Sequence, residues 1–200
     1  TALNQIANVL KHRGDYAESL EYFKKALAIV EKEQLTLQKG IVLGNLATLH
    51  YFVNKHTEAL ECWLQALEVH RSNGDRVYEG NCLGDLGTAY LALGQFEDAL
   101  ASFHQAVLIA QEVGNRRSEG INFGNLGNTC IKTGQHTEAL SYLKQALVIH
   151  REVENHQSEG LVLGNLGNLL LSRGQTEEAV ESFTNCIEIM KKIKKILLSK

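Results

Sequence analysis

The sequence predicts an all-α chain, a solenoid of five tandem helix-turn-helix repeats. Three observations predict it. Glycines recur every forty residues, at Gly40, Gly80, Gly120 and Gly160, and again in register at Gly44, Gly84, Gly124 and Gly164. A fixed period of that length marks a stack of supersecondary units. Apolar residues fall at helical spacing: Phe96, Ala99, Leu100, Phe103, Ala106 and Val107 stand at i, i+3, i+4, i+7, i+10 and i+11. The 200 residues contain no proline and no strand-like alternation, which suits long uninterrupted helices.

The units read as residues 1–34, 35–74, 75–114, 115–154 and 155–190, followed by a basic extension over 191–200. In the third unit a first helix spans about Arg76 to Leu93 and a second about Gln95 to Val113. Gly94 breaks between them, as do Gly14, Gly134 and Gly174 in other units, with Asn54 in the second. Gly74-Asp75 and Gly114-Asn115 turn into the next unit, a role taken by Gln34-Leu35 after the first. Each second helix carries a small residue (Ser19, Ala59, Ala99, Ala139, Ala179) and then a large one (Phe23, Trp63, Phe103, Leu143, Phe183). The extension "KKIKKILLSK" continues the last helix with an apolar edge of Ile193, Ile196 and Leu197. It reads first as a cap over the end of the stack, and second as a contact for acidic membrane or a partner.

Composition narrows the function. A net charge of −3 offers no basic stripe for nucleic acid. No apolar run approaches the length of a membrane span, and no signal peptide is visible. The chain starts inside a repeat, as a fragment or processed piece would. Its four cysteines form no CxxC pair and read as reduced thiols of the cytoplasm. No two of its eight histidines are three or four residues apart, so no metal pair forms on a helix turn. His56 with His136, and His70 with His150, recur at equivalent places and read as packing residues. Phosphate loops, GxSxG elbows and plausible Cys–His or Ser–His constellations are missing. The reading is therefore of a non-enzyme with no catalytic residue, metal or cofactor.

The stretch "LGDLGTAYLALGQFEDALASFHQAV" (Leu83 to Val107) resembles the tetratricopeptide repeat consensus, and the resemblance covers all five units. The usual repeat has 34 residues; this forty-residue variety, with "GNLGN" phrases, is similar to the Pins/LGN adaptors and to long bacterial tetratricopeptide arrays attached to kinases or regulators. The first unit departs most, with Ala7 in place of the paired glycine. The resemblance implies a right-handed solenoid whose first helices line a concave groove that holds a partner protein.

A helical wheel of the fifth first helix separates two faces. Leu163, Leu166, Gly167 and Leu170 face the second helix, and Ala179 is expected to leave room for Gly167. Leu161, Gly164, Asn165, Asn168, Leu171 and Ser172 fall nearly opposite, on the side the resemblance assigns to the groove. Down the units that side presents one rail of Gln5, Asn45, Asp85, Asn125 and Asn165. A second rail runs Asn8, Thr48, Thr88, Asn128 and Asn168, and Gly84, Gly124 and Gly164 form a bare floor. An amide offers a donor and an acceptor, which matches the two hydrogen-bonding groups of a peptide backbone. Leu91 and Ile131 are candidate apolar anchors, and Lys132 and Lys11 are the few cations against Asp85. The expected ligand is an extended or partly helical protein segment, with no nucleic acid and no membrane. Tetratricopeptide domains that hold chaperone C-termini clamp carboxylates with basic residues; here glycine stands at that place, so acidic C-termini are not expected to bind. An adaptor is the first reading and a sensor array controlling a module outside these residues the second. The ladder has a competing explanation, in which the asparagines only fix the stacking of one repeat on the next.

Overall fold

The computed structural model describes residues 1–198, except for the side chain of Leu197. The expected basic extension therefore lies partly outside the described residues, at Leu197, Ser199 and Lys200. Among the described residues there are ten α-helices and no strand. They are α1 (Ala2–Arg13), α2 (Tyr16–Lys32), α3 (Thr36–Phe52), α4 (His56–Ser72), α5 (Arg76–Ala92), α6 (Phe96–Glu112), α7 (Arg116–Lys132), α8 (His136–Glu152), α9 (His156–Ser172) and α10 (Thr176–Leu198). Two compact units, residues 1–102 and residues from 103 onward, divide within α6. Within each unit every helix packs on the next, α1 through α5 in order in the first and α7 through α10 in the second. First helices also touch across a repeat, α1 on α3 and α7 on α9. This is the tandem helix-pair packing of an all-α repeat solenoid.

Left-handed residues set the turns. Gly14, Gly74, Gly94, Gly114, Gly134 and Gly174 all have positive φ, and so do Gln34, Asn54 and Glu154 at the positions where the glycine is lost. Asp75, Asn115 and Asn155 then cap α5, α7 and α9 by accepting from the backbone N–H of Tyr78, Ser118 and Ser158. A Cβ in the left-handed region costs about 1–2 kcal/mol. Glu154→Gly, at φ 51°, is therefore expected to raise stability by about 1 kcal/mol. Thermal unfolding checks it, and an unchanged or lower midpoint would refute the strain argument.

First helices bury two faces. One meets the partner helix of the same repeat, where a Cβ on Gly127 would lie 2.7 Å from Leu143 Cγ and 3.3 Å from the Ala139 carbonyl oxygen. Gly167 is as tightly covered. The Phe183 ring is nearest to it, and a Cβ added to Gly167 would lie 2.7 Å from that ring. In the first repeat Ala7 stands at this place, and Ser19 Oγ donates to the Ala7 carbonyl at 2.7 Å. The second buried face is one the wheel does not show. Val42, Leu46 and Leu49 of α3 join Phe23, Ala26 and Val30 of α2 in one core cluster, so this first helix also packs on the preceding repeat. Cys82 and Ala89, Asn122 and Thr129, and Val162 and Leu169 are buried at the same places.

Ion pairs and hydrogen bonds eight residues apart tie consecutive repeats. Lys39 Nζ lies 2.8 Å from Glu31 Oε1. In the later joints the polarity inverts. Arg71 Nε donates to Glu79 at 2.9 Å, Gln111 Nε2 to Glu119 at 2.9 Å and Arg151 Nε to Glu159 at 2.8 Å. Glu79, Glu119 and Glu159 are buried. Burial would push the Glu79 carboxyl up, but hydrogen bonds from Arg71 and Arg76 hold it below the usual glutamate range.

Candidate peptide-binding site

The remaining face of the first helices stays open. Leu161 and Leu171 are exposed, and a Cβ on Gly44 or Gly164 would meet nothing within 4 Å. Two cavities indent this face, one in each unit. The cavity of the second unit, about 310 Å³, is lined by Ile121, Gly124, Asn125 and Asn128 of α7, His150 of α8, and Ser158, Leu161, Val162 and Asn165 of α9. That of the first unit, about 180 Å³, is lined by Gly40, Ile41, Gly44, Asn45 and Thr48 of α3, His70 of α4, and Tyr78, Asn81, Cys82 and Asp85 of α5. Most positions of one lining recur in the other at a spacing of eighty.

The expected site residues sort into three groups. Asn125, Asn128, Gly124 and Asn165 come together around the larger cavity, and Asn45 and Asp85 around the smaller. Asn8, Gly84, Leu91, Ile131, Lys132, Gly164 and Asn168 line neither. Of these last, Lys132 and Asn168 are exposed, and Asn8, Gly84, Leu91, Ile131 and Gly164 are half-buried.

Hydrogen bonding separates the rails. Asn8, Thr48 and Thr88 donate to their own helices, at Asn4, Gly44 and Gly84, so the first three rungs of the second rail have their donors engaged. Asn45 Nδ2 reaches the Asn4 side-chain oxygen of the preceding repeat at 3.1 Å, as the stacking explanation requires at that rung, though through a side chain. No other described residue hydrogen-bonds the side-chain amides of Asn125, Asn128, Asn165 or Asn168.

Electrostatics differ between the cavities. Asp85 is exposed as a residue, yet desolvation of its carboxyl pushes it up to about 6 while the Lys11 ammonium pulls the other way. Lys11 itself is buried, and its ammonium is lowered by desolvation. Burial pushes the neighbouring Cys82 thiol up to about 12, so it stays protonated. All four cysteines are free. Among the described residues no group of three or more His, Cys, Asp or Glu could hold a metal ion, and no helix is long and apolar enough to cross a membrane.

The packing histidines also line the cavities, which the sequence did not suggest. His70 and His150 are each 1% exposed, line the cavities, and leave Nδ1 without a hydrogen-bond partner. Desolvation lowers both imidazoles, so they are held neutral. Their rings press on glycines: a Cβ on Gly40 would lie 2.7 Å from His70, and one on Gly120 would lie 3.0 Å from His150. The signal was present in the eighty-residue recurrence of these histidines.

Comparison with known structures agrees with this architecture. The chain superposes on BtubC (BKLC) from P. vanneervenii with a TM-score of 0.86 and 17% identity, over 96% of this chain and 80% of that one. A Pyrococcus horikoshii signal transduction ATPase with numerous domains, a protein with a tetratricopeptide repeat sensor, gives 0.84 and 20% over 93% of this chain and 30% of that one. A Rap protein complexed with Competence and Sporulation Factor gives 0.79 and 18% over 94% and 52%. At these identities the likeness concerns the fold. No curated protein matches the sequence. The tetratricopeptide repeat model matches residues 1–61, 38–112 and 118–192, nearly the whole length. With helix pairs of forty-residue period on the same residues, the chain belongs to the tetratricopeptide repeat family.

Proposed function

We propose that this chain is a non-catalytic protein-interaction module, an adaptor or scaffold that holds an extended or partly helical partner segment on the open face of its first helices. The observation that carries the reading is the pair Asn125 and Asn165. Both amides line one cavity beside Gly124, and neither is engaged by the protein itself. An amide that fixed stacking would be bonded across the joint, as Asn45 is. The Rap neighbour, solved with a factor bound, supports a binding role for this fold.

Asn125→Ala combined with Asn165→Ala is expected to weaken binding of a recovered partner peptide by tens of fold, since each lost hydrogen bond is worth about 0.5–1.5 kcal/mol. The melting temperature should barely move. Calorimetry and thermal unfolding on the same samples decide it: a variant that melts several degrees lower and binds normally would assign the asparagines to stacking.

A second reading, a sensor array that controls an effector module, draws on the signal transduction ATPase, of which this chain spans 30%. It requires that a bound peptide alter hydrogen exchange in helices that line neither cavity. Protection confined to the lining helices would count against it.

A further inference from the structure

Copies two and four of the repeat are more alike than a forty-residue period demands. His56 and His70 in the second recur as His136 and His150 in the fourth, so an eighty-residue period overlies the shorter one. The residues equivalent to His70 in the first and third copies are Val30 and Ala110, both buried. An aliphatic side chain therefore suffices for packing at this place. Histidine there leaves a buried Nδ1 unpartnered, a desolvation cost that an aliphatic side chain would avoid, although the His70 ring also stacks on Tyr78 at 5.0 Å. Each histidine also lines a cavity. The cavities, about 180 and 310 Å³, are at or below the small end of sites for whole small molecules, about 300–1,000 Å³. Each is sized for one side chain.

The far walls differ. In the smaller cavity α5 supplies Tyr78, Asn81 and the carboxyl of Asp85. In the larger, α9 supplies Leu161, Val162 and the neutral amide of Asn165. Leu161 is 66% exposed, so an apolar surface waits uncovered at the mouth of that cavity. Building on the groove reading above, we infer that the two cavities are anchor subsites of unlike specificity. The cavity beside Asp85 takes a hydrogen-bond-donating side chain of a partner polypeptide, and the cavity beside Leu161 takes a branched aliphatic one. Asp85 is a carboxylate, and the lining of the other cavity has none. Amide donors as well as cations therefore fit.

The full chain, immobilised, is exposed to a positional-scanning library of N-acetylated, C-amidated dodecapeptides. Retained sequences are expected to show two preferences, on one peptide or on different ones: Lys, Arg, Asn or Gln for the first subsite, and Leu, Ile or Val for the second. Asp85→Asn should lower retention of Lys and Arg peptides by about tenfold, the loss of a charged hydrogen bond, and leave the aliphatic preference alone. Leu161→Asp should do the reverse. Both side chains are exposed, and circular dichroism checks that both variants fold. If a single preference emerges, or both variants alter the same one, the two-subsite inference is overturned while the groove reading stands. If no peptide is retained, both fall.

Discussion

Glu79→Ala is expected to lower the melting temperature by roughly 5 °C or more, the largest loss among single changes at the joints. Glu79 is buried and accepts from Arg71 and Arg76 together. Hydrogen bonds to a charged group contribute about 1.5–3 kcal/mol, and each kcal/mol moves the midpoint of a chain this size by about 2–4 °C. Lys39→Ala, at the first joint, is the control. Its pair with Glu31 is partly exposed, so its loss should cost about 1 kcal/mol or less. The Glu79 effect is also pH-dependent. Its folded-state pKa is lowered, so the stabilisation is fully present above the ordinary glutamate value and is lost as pH falls through the folded value. The difference between wild type and Glu79→Ala should therefore shrink in acid. A difference that stayed constant down to about pH 3 would refute the charge-based account.

Gly127→Leu and Gly164→Leu should move stability in opposite directions, although both put leucine on equivalent first helices. At Gly127 even the first added carbon meets Leu143 and the Ala139 carbonyl. Overpacking of that kind costs about 1–3 kcal/mol, occasionally more, and exceeds the propensity gain of about 1 kcal/mol. At Gly164 the added carbon meets nothing within 4 Å. Stability there should rise by most of a kcal/mol, while on the proposed reading the leucine side chain should obstruct a ligand on the open face. Thermal unfolding of the pair, followed by peptide binding to Gly164→Leu, tests both halves. A destabilised Gly164→Leu would show that the open face is packed in solution.

Much of this was legible in the sequence because the repeat supplies five readings of each position. The helix breaks at Gly94 and Gly134, and the substitution of Asn54 at the same place, were visible as aligned punctuation, and all three adopt positive φ. The wheel separated Leu163, Leu166 and Gly167 from Leu161 and Asn165 because the first set is continuously apolar or small. It did not reveal the face made by Val42 and Leu49, because two buried faces on one helix blur into a broad apolar sector. The joints escaped for a different reason. A spacing of eight crosses a turn, so Arg71 and Glu79 meet only once the chain has reversed. The cavities needed three dimensions: His150 reaches the larger one from α8, while its other walls belong to α7 and α9. Asn165 stays free while Asn45 finds a partner because of the preceding repeat. Forty-one places back it offers the amide of Asn4 to the one and the bare Gly124 to the other, a pairing no single-helix reading contains.

The inverted polarity of the first joint makes the order of copies non-interchangeable. An in-register loss of residues 35–74 would bring Glu31 against Glu79, two carboxylates with one of them buried. Duplicating the same forty residues would set Arg71 against a second Lys39. Loss of residues 115–154 would be tolerated at the joint, since Gln111 would meet Glu159 as it now meets Glu119. Gain or loss of a whole repeat is thus penalised at the first two copies and permitted at the later ones. Length variation among descendants of this gene should accordingly be concentrated toward the C-terminal half.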